Sequence, residues 1–262
     1  TITVWQSGLG LTDGQVGILS GALTFAIAAG SLLAGNITKL FGLIRSFNMM
    51  NLMYLIGAAI CVLSGNFPVL LAGLIITGFA SGADLPISLT VISHDAPNEK
   101  VSASLIASTQ VFWQIGVLGS YAMAFIVSHV EGAAGARMVF ALLAVLAGIA
   151  FVWRTFSKKF KEFHAAGDEY RAAEGTKTST EVSFASLFKG TDGKKYVSFF
   201  SCIIIFYVCW NLLANTFGQF QTYILVKANA SQSLATGCGI VLNIVGLICG
   251  ILFASAAGSK HR

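Results

Sequence analysis

Seven apolar runs divide the chain, at residues 15–38, 46–64, 69–93, 102–128, 138–156, 196–226 and 228–257. A hydrocarbon core about 30 Å thick takes about 20 helical residues, each rising about 1.5 Å, and every run meets that length. The pattern predicts an all-α integral membrane protein with seven transmembrane helices. One long polar break, residues 157–195, alternates cations with anions and separates five helices from two. Within and just before it, Phe156, Phe160 and Phe163 are spaced for an amphipathic surface helix. The expected organisation is a first bundle over 1–156, a linker over 157–195 and the start of a second bundle over 196–262.

Composition agrees with that pattern: 55% of residues are hydrophobic, only 10% are charged, and the mean hydropathy is +0.77. Such values exclude an ordinary soluble domain. Charge then orients the spans. With the N-terminus outside, fourteen of the sixteen Lys and Arg fall on the inner side, and only Arg137 and Lys227 on the outer. That asymmetry is the positive-inside signature of a multi-pass protein of the cell (inner) membrane. The net charge of +5 is therefore a topological label, and no nucleic-acid partner is expected. Arg154 is counted here with the linker cations.

Cys61, Cys202, Cys209, Cys238 and Cys249 all lie in apolar runs, without CxxC spacing, and read as small core residues. No metal site and no cofactor are expected. The opening TITVWQSGLGLTDG has neither an initiating Met nor the basic region of a cleavable signal, and reads like the middle of a protein. Thr12 or Asp13 is the expected N-cap of the first span.

With Arg154 assigned to the linker, Asp84 is the ionisable residue inside a span. A carboxylate in lipid is unfavourable by several kcal/mol, so it is expected to face a cavity or partner and to carry a coupled proton. The alternative is that Asp84 caps a helix segment restarting at Pro86. Gly73, Gly78 and Gly82 in the same run permit close helix approach. In the next run, Gln110 and Gln114 lie four apart beside Trp113, offering donors and acceptors to hydroxyl or carboxylate ligands. Trp210, Asn211, Asn215 and Gln219 form a second stripe suited to a neutral polyol or an organic anion. Both amide stripes could instead bridge helices.

Two stretches carry a resemblance to a known family. Gly35-Asn36-Ile37-Thr38-Lys39-Leu40-Phe41-Gly42-Leu43-Ile44-Arg45 is similar to the loop between the second and third helices of the major facilitator superfamily, G-x-x-x-D-R-x-G-R-R/K. It keeps Gly35, Gly42 and the trailing Arg45, while Lys39 stands where the family has Asp. The resemblance implies a gating loop made of Gly35, Lys39, Gly42 and Arg45 that closes differently from the family pattern. The run from Gly78 through Gly82, Asp84 and Pro86 to His94, Asp95 and Pro97 resembles the fourth helix and following loop of sugar and metabolite transporters in that superfamily. His94 and Val101 replace the family's Glu and Arg, and His94 reads as a solvated loop residue. Gln110 and Gly116 match the Q-x-x-x-x-x-G setting of a substrate-contacting glutamine in sugar porters.

What the resemblance implies is a two-bundle fold, of which this chain carries helices two to six and seven to eight. It implies a secondary active transporter of a small polar metabolite, sugar or organic acid, working by alternating access with proton coupling. The expected partners are that small-molecule substrate, a proton and the lipid bilayer, with the protein a monomer and not an enzyme. A seven-helix receptor or sensor shares the topology. Against it, no Schiff-base Lys lies in the last run, and D-R-Y and N-P-x-x-Y are missing. An intramembrane hydrolase would need His at depth, whereas His94, His129, His164 and His261 lie in loops or at ends.

Overall fold

The computed structural model describes residues 2–127, 130, 132–173 and 193–257. Among them the regular elements are helices: α1 Ile2–Leu9, α2 Asp13–Phe41, α3 Leu43–Leu63, α4 Phe67–Asp95, α5 Glu99–Ile126, α6 Ala134–Phe156, α7 Lys158–Ala173, α8 Gly193–Lys227 and α9 Gln232–Ala257. Seven of these, all but α1 and α7, are long and apolar enough to cross a membrane. The seven spans read from the apolar pattern are thus present.

Their starts are set by local chemistry. Thr12 caps α2 through a reciprocal pair, its Oγ1 accepting from Gln15 N and its own N–H donating to Gln15 Oε1. Asn66 and Asn98 cap α4 and α5 by accepting from Val69 N at 3.1 Å and Val101 N at 2.9 Å. The stretch 35–45 is not the loop expected from sequence. Helix α2 continues through Lys39 to Phe41, and α3 starts at Leu43, because Gly42 alone makes the turn at φ 83°. Gly35 and Lys39 therefore sit on α2 and Arg45 in the first turn of α3.

Helix α4 is the most heavily packed helix, lying on α2 and α3, with α3 in turn on α6. Small residues allow this. A Cβ at Gly30 or Gly82 would run into the facing backbone of Phe79 or Ile27, and Ser31 Oγ donates to Gly82 O at 2.8 Å. Gly57 and Gly73 bring α3 equally close to α4 beside Cys61 and Thr77. Gly17, Gly21 and Gly35 face open space instead, so only part of the α2 glycine pattern serves packing. The short α1 was not legible in the sequence. It places Trp5, 2% exposed, in a core with Leu11, Val16, Leu19, Leu70 and Leu74, and on the ring of Phe140.

The two ends of the bundle differ. At one end Arg137 Nη2 donates to Ser64 O at 2.7 Å, and Lys227 pairs with Asp13 at 3.1 Å, which holds the lysine ammonium pKa above its ordinary value. These are the two cations assigned to the outer side. At the other end, the α2–α3 turn, the ends of α4 and α6, and α7 converge on Phe47. Helix α9 runs antiparallel to α5, with Gly239 against Tyr121 and the later Gly246 against the earlier Gln114. Its C-terminal half therefore heads toward the α7 end; Lys260 lies outside the described residues.

Candidate functional site

The site grows from the middle of α4. Pro86 lies inside that helix, which runs unbroken to Asp95, so Asp84 does not cap a restarting segment. A proline removes one backbone donor, and a packed neighbour on either side keeps the helix together. Asp84 instead pairs with Arg154, whose Nη1 lies 2.8 Å from Asp84 Oδ1. The expectation that Asp84 is the ionisable residue inside a span, with Arg154 left to the linker, is corrected by this contact. Arg154 occupies the last turn of α6, and its long apolar stem carries the guanidinium back along the helix to α4.

The guanidinium is held on several sides. It lies over the ring of Phe47, 4.0 Å from the centroid, and donates to Phe47 O at 3.3 Å. With the Asn51 amide turned so that its oxygen faces the cation, Asn51 accepts from Nη1 at 2.7 Å and Nε at 3.0 Å. The opposite amide assignment would set donors against donors. Side chains of Arg154 and Asp84 remain 21% and 28% exposed, so the pair is only partly buried.

Beside the pair is a cavity of about 480 Å³ between α3, α4, α5 and α6. Its polar lining is Asn51, Tyr54, Ser81, Asp84, Ser88, Thr109 and Arg154, with Trp113 of α5 on one wall and Leu143, Leu146 and Ala147 of α6 on another. Ser88 is one turn beyond Asp84, and its Oγ is buried without a hydrogen-bond partner among the described residues. Carboxylate, guanidinium, amide and hydroxyls thus converge on one space large enough for a small metabolite. Its two charges cancel.

The residues singled out from sequence separate here. Asp84 and Trp113 line the cavity, and Gln114 lies on α5 against Gly246 of α9. Asn211 Nδ2 donates to Tyr207 O of its own helix at 2.8 Å, and Trp210 is 61% exposed on α8. The side chains of Gln110, Asn215 and Gln219 lie outside the described residues. Sequence reasoning missed Arg154, Asn51, Tyr54 and Ser88. A basic residue inside the last turn of an apolar run was the available signal for Arg154; the uncharged three carry none.

A seven-span helical bundle whose cavity gathers an ion pair, an amide and hydroxyls among apolar walls has the build of a transport protein. The chain belongs to the major facilitator superfamily, whose sequence profile matches residues 1–261. It is 30% identical over its whole length to the minor myo-inositol transporter IolF of Bacillus subtilis, and covers 59% of that protein. It is also 26% identical over 57% of its length to D-xylose-proton symporter-like 2 of Arabidopsis thaliana, and 25% identical over 53% to probable polyol transporter 6 of the same plant. The chain spans 59%, 30% and 28% of the lengths of these three relatives. Family membership replaces the receptor reading.

Proposed function

We propose that the complete protein is a secondary active transporter of a small neutral polyhydroxylated metabolite, a sugar or polyol, in the cell membrane, working by alternating access with proton coupling. The observation that carries this reading is the neutralised Asp84–Arg154 pair beside an amide and four hydroxyls in a largely apolar cavity of about 480 Å³. An organic anion would need an uncompensated cation, and Arg154 is already matched by Asp84, Asn51 and Phe47. Hydroxyl ligands need only mixed donors and acceptors, which the lining offers. The names of the three relatives support the same substrate class.

Coupling would run through the pair. Proton uptake on Asp84 removes the negative partner and frees Arg154 from α4, while Asn51 and Phe47 still hold the guanidinium to α3. A contact between α4 and α6 is thereby made conditional on the proton, as an alternating-access cycle requires. Trp113 and Gln114 are proposed substrate neighbours on α5, and Gln110, Trp210, Asn211, Asn215 and Gln219 the proposed polar lining between bundles. The 35–45 segment, with Gly35, Lys39, Gly42 and Arg45, is the proposed gate, and the protein is proposed to act as a monomer.

Uptake by the complete protein in proteoliposomes tests the substrate class. Labelled myo-inositol and D-xylose are offered with unlabelled competitors, either neutral polyols or the sugar acid glucuronate. Competition by neutral polyols with little effect of glucuronate is expected. Stronger competition by the acid would overturn the neutral-substrate reading.

A further inference from the structure

A second cluster of charge lies at the same end of the bundle, outside the cavity. His94 closes α4 beside Asp95, and both face α7. His94 Nδ1 lies 2.8 Å from Asp95 Oδ1 and Nε2 lies 3.2 Å from Asp168 Oδ1, while His164 Nδ1 lies 2.6 Å from Asp95 Oδ2. His94 is therefore not the solvated loop residue that the sequence suggests. Gly167 sets the distance: a Cβ there would come within 3.0 Å of His94 and Asp95, so only glycine lets α7 lie this close. On the other flank His164, 8% exposed, meets the Phe47 ring edge-on at 6.3 Å, with Phe160 beside both.

The ring of His94 has carboxylate oxygens at both nitrogens. A neutral imidazole carries one N–H and can donate to only one of them, whereas the imidazolium donates to both. We infer that His94, His164, Asp95 and Asp168 form a proton-dependent strap that fastens the linker helix α7 to the end of α4. Described charged groups facing the strap are His94 and Asp95 from α4 and His164 and Asp168 from α7. From α6 there is Arg154, whose guanidinium lies over the Phe47 ring, 4.0 Å from its centroid, and is paired with Asp84. His164 Nε2 is buried without a partner among the described residues, so a second proton there would be an unpaired buried N–H and the change falls to His94, whose imidazolium sits as one cation between the carboxylates of Asp95 and Asp168. With His94 neutral, the two carboxylates face each other across it and the contact to Asp168 has no donor if the proton sits on Nδ1. Histidine is the side chain that makes this change near physiological pH. The strap therefore tightens on the acid side and loosens on the alkaline side. It tethers the linker to the first bundle, and through Phe47 it abuts the group that holds Arg154. This inference stands on the geometry of α4 and α7, and does not require the substrate or the coupling role to be right.

The test is a distance measurement between spin labels at Glu169 on α7 and Leu40 on α2, both exposed, in the complete protein with its native cysteines replaced. Spectra are taken at about pH 5.5 and about pH 8.5, either side of the histidine range. A single docked distance is expected at acid pH. At alkaline pH the ratio of displaced to docked molecules should rise about tenfold or more, the equivalent of one charge-assisted hydrogen bond. His94→Gln, which keeps one donor but cannot be charged, should give the alkaline distribution at both pH values. Gly167→Leu serves as the control for undocking without titration and should be displaced at both. A wild-type distribution that does not change with pH, or a His94→Gln protein that still responds as wild type does, would overturn the strap. Transport of any substrate is not read, so failure here leaves the transport reading standing, and the converse.

Discussion

Replacing Arg154 by Ala would remove the cation from Asp84 and expose how much the pair ties α4 to α6. Removing one partner of a fully buried ion pair destabilises by about 3–5 kcal/mol, because the other charge is left without compensation. Here the partners are 21% and 28% exposed, so water reaches the abandoned carboxylate and the loss is smaller, about 2 kcal/mol. Loss of the guanidinium from the Phe47 face, 4.0 Å away, belongs to the same total and is not added to it. Since the Tm change per kcal/mol falls as chain length grows, that translates in the complete protein to an apparent Tm lower by about 2–4 °C. The assay is thermal unfolding of the purified complete protein in one detergent at one scan rate, since membrane proteins unfold irreversibly and only matched scans compare. The cycle is closed with Asp84→Asn and the double variant. If the two groups act on each other, the double variant should be less impaired than the sum of the singles by about 1 kcal/mol or more. Strict additivity, or an Arg154→Ala shift below about 2 °C, would show that the contact does not bind α4 to α6.

Two further outcomes follow from the packing and the charge distribution. Gly82→Val would force a branched side chain into the Ile27 backbone and should destabilise by about 1–3 kcal/mol or prevent assembly; normal yield and an unchanged Tm would refute the close α2–α4 contact. A cysteine placed at Glu169, exposed on α7, should react with a membrane-impermeant maleimide only when the inner face is accessible; labelling from outside intact cells would invert the topology.

Much of the fold was legible because lipid imposes one simple rule: a span must be apolar and long enough, and the seven runs satisfy it. The cap of the first span was legible to within one residue, since Thr12 or Asp13 was expected and Thr12 caps, while its Gln15 partner and the Asn66 and Asn98 caps went unread. What else the sequence hid was a long-range choice. Glycines 35 and 42 look alike as loop edges, yet Gly35 lies within a helix and Gly42 makes the whole turn. Phe156, Phe160 and Phe163 predicted an amphipathic helix, and α7 forms, but the face it docks is Phe160, His164 and Gly167 while Phe156 and Phe163 stay exposed. Spacing gives a helix its faces without saying which one a neighbour will cover. Arg154 is the sharpest case. Counting it with the linker served the charge bias, yet its guanidinium reaches inward to Asp84, a pairing across 70 residues that no local pattern announces.

The central claim is that the Asp84–Arg154 pair couples a proton to movement of a neutral polyol, and Asp84→Asn in the complete protein tests it most directly. The amide keeps the shape and can still accept from Arg154, but it can neither ionise nor take up a proton. Proteoliposomes loaded with unlabelled myo-inositol measure counterflow exchange, and a pH gradient across the same membranes measures accumulation. The account predicts that the variant exchanges substrate and fails to accumulate it. Accumulation equal to wild type under the gradient would contradict the coupling role and leave the pair as a tie between α4 and α6.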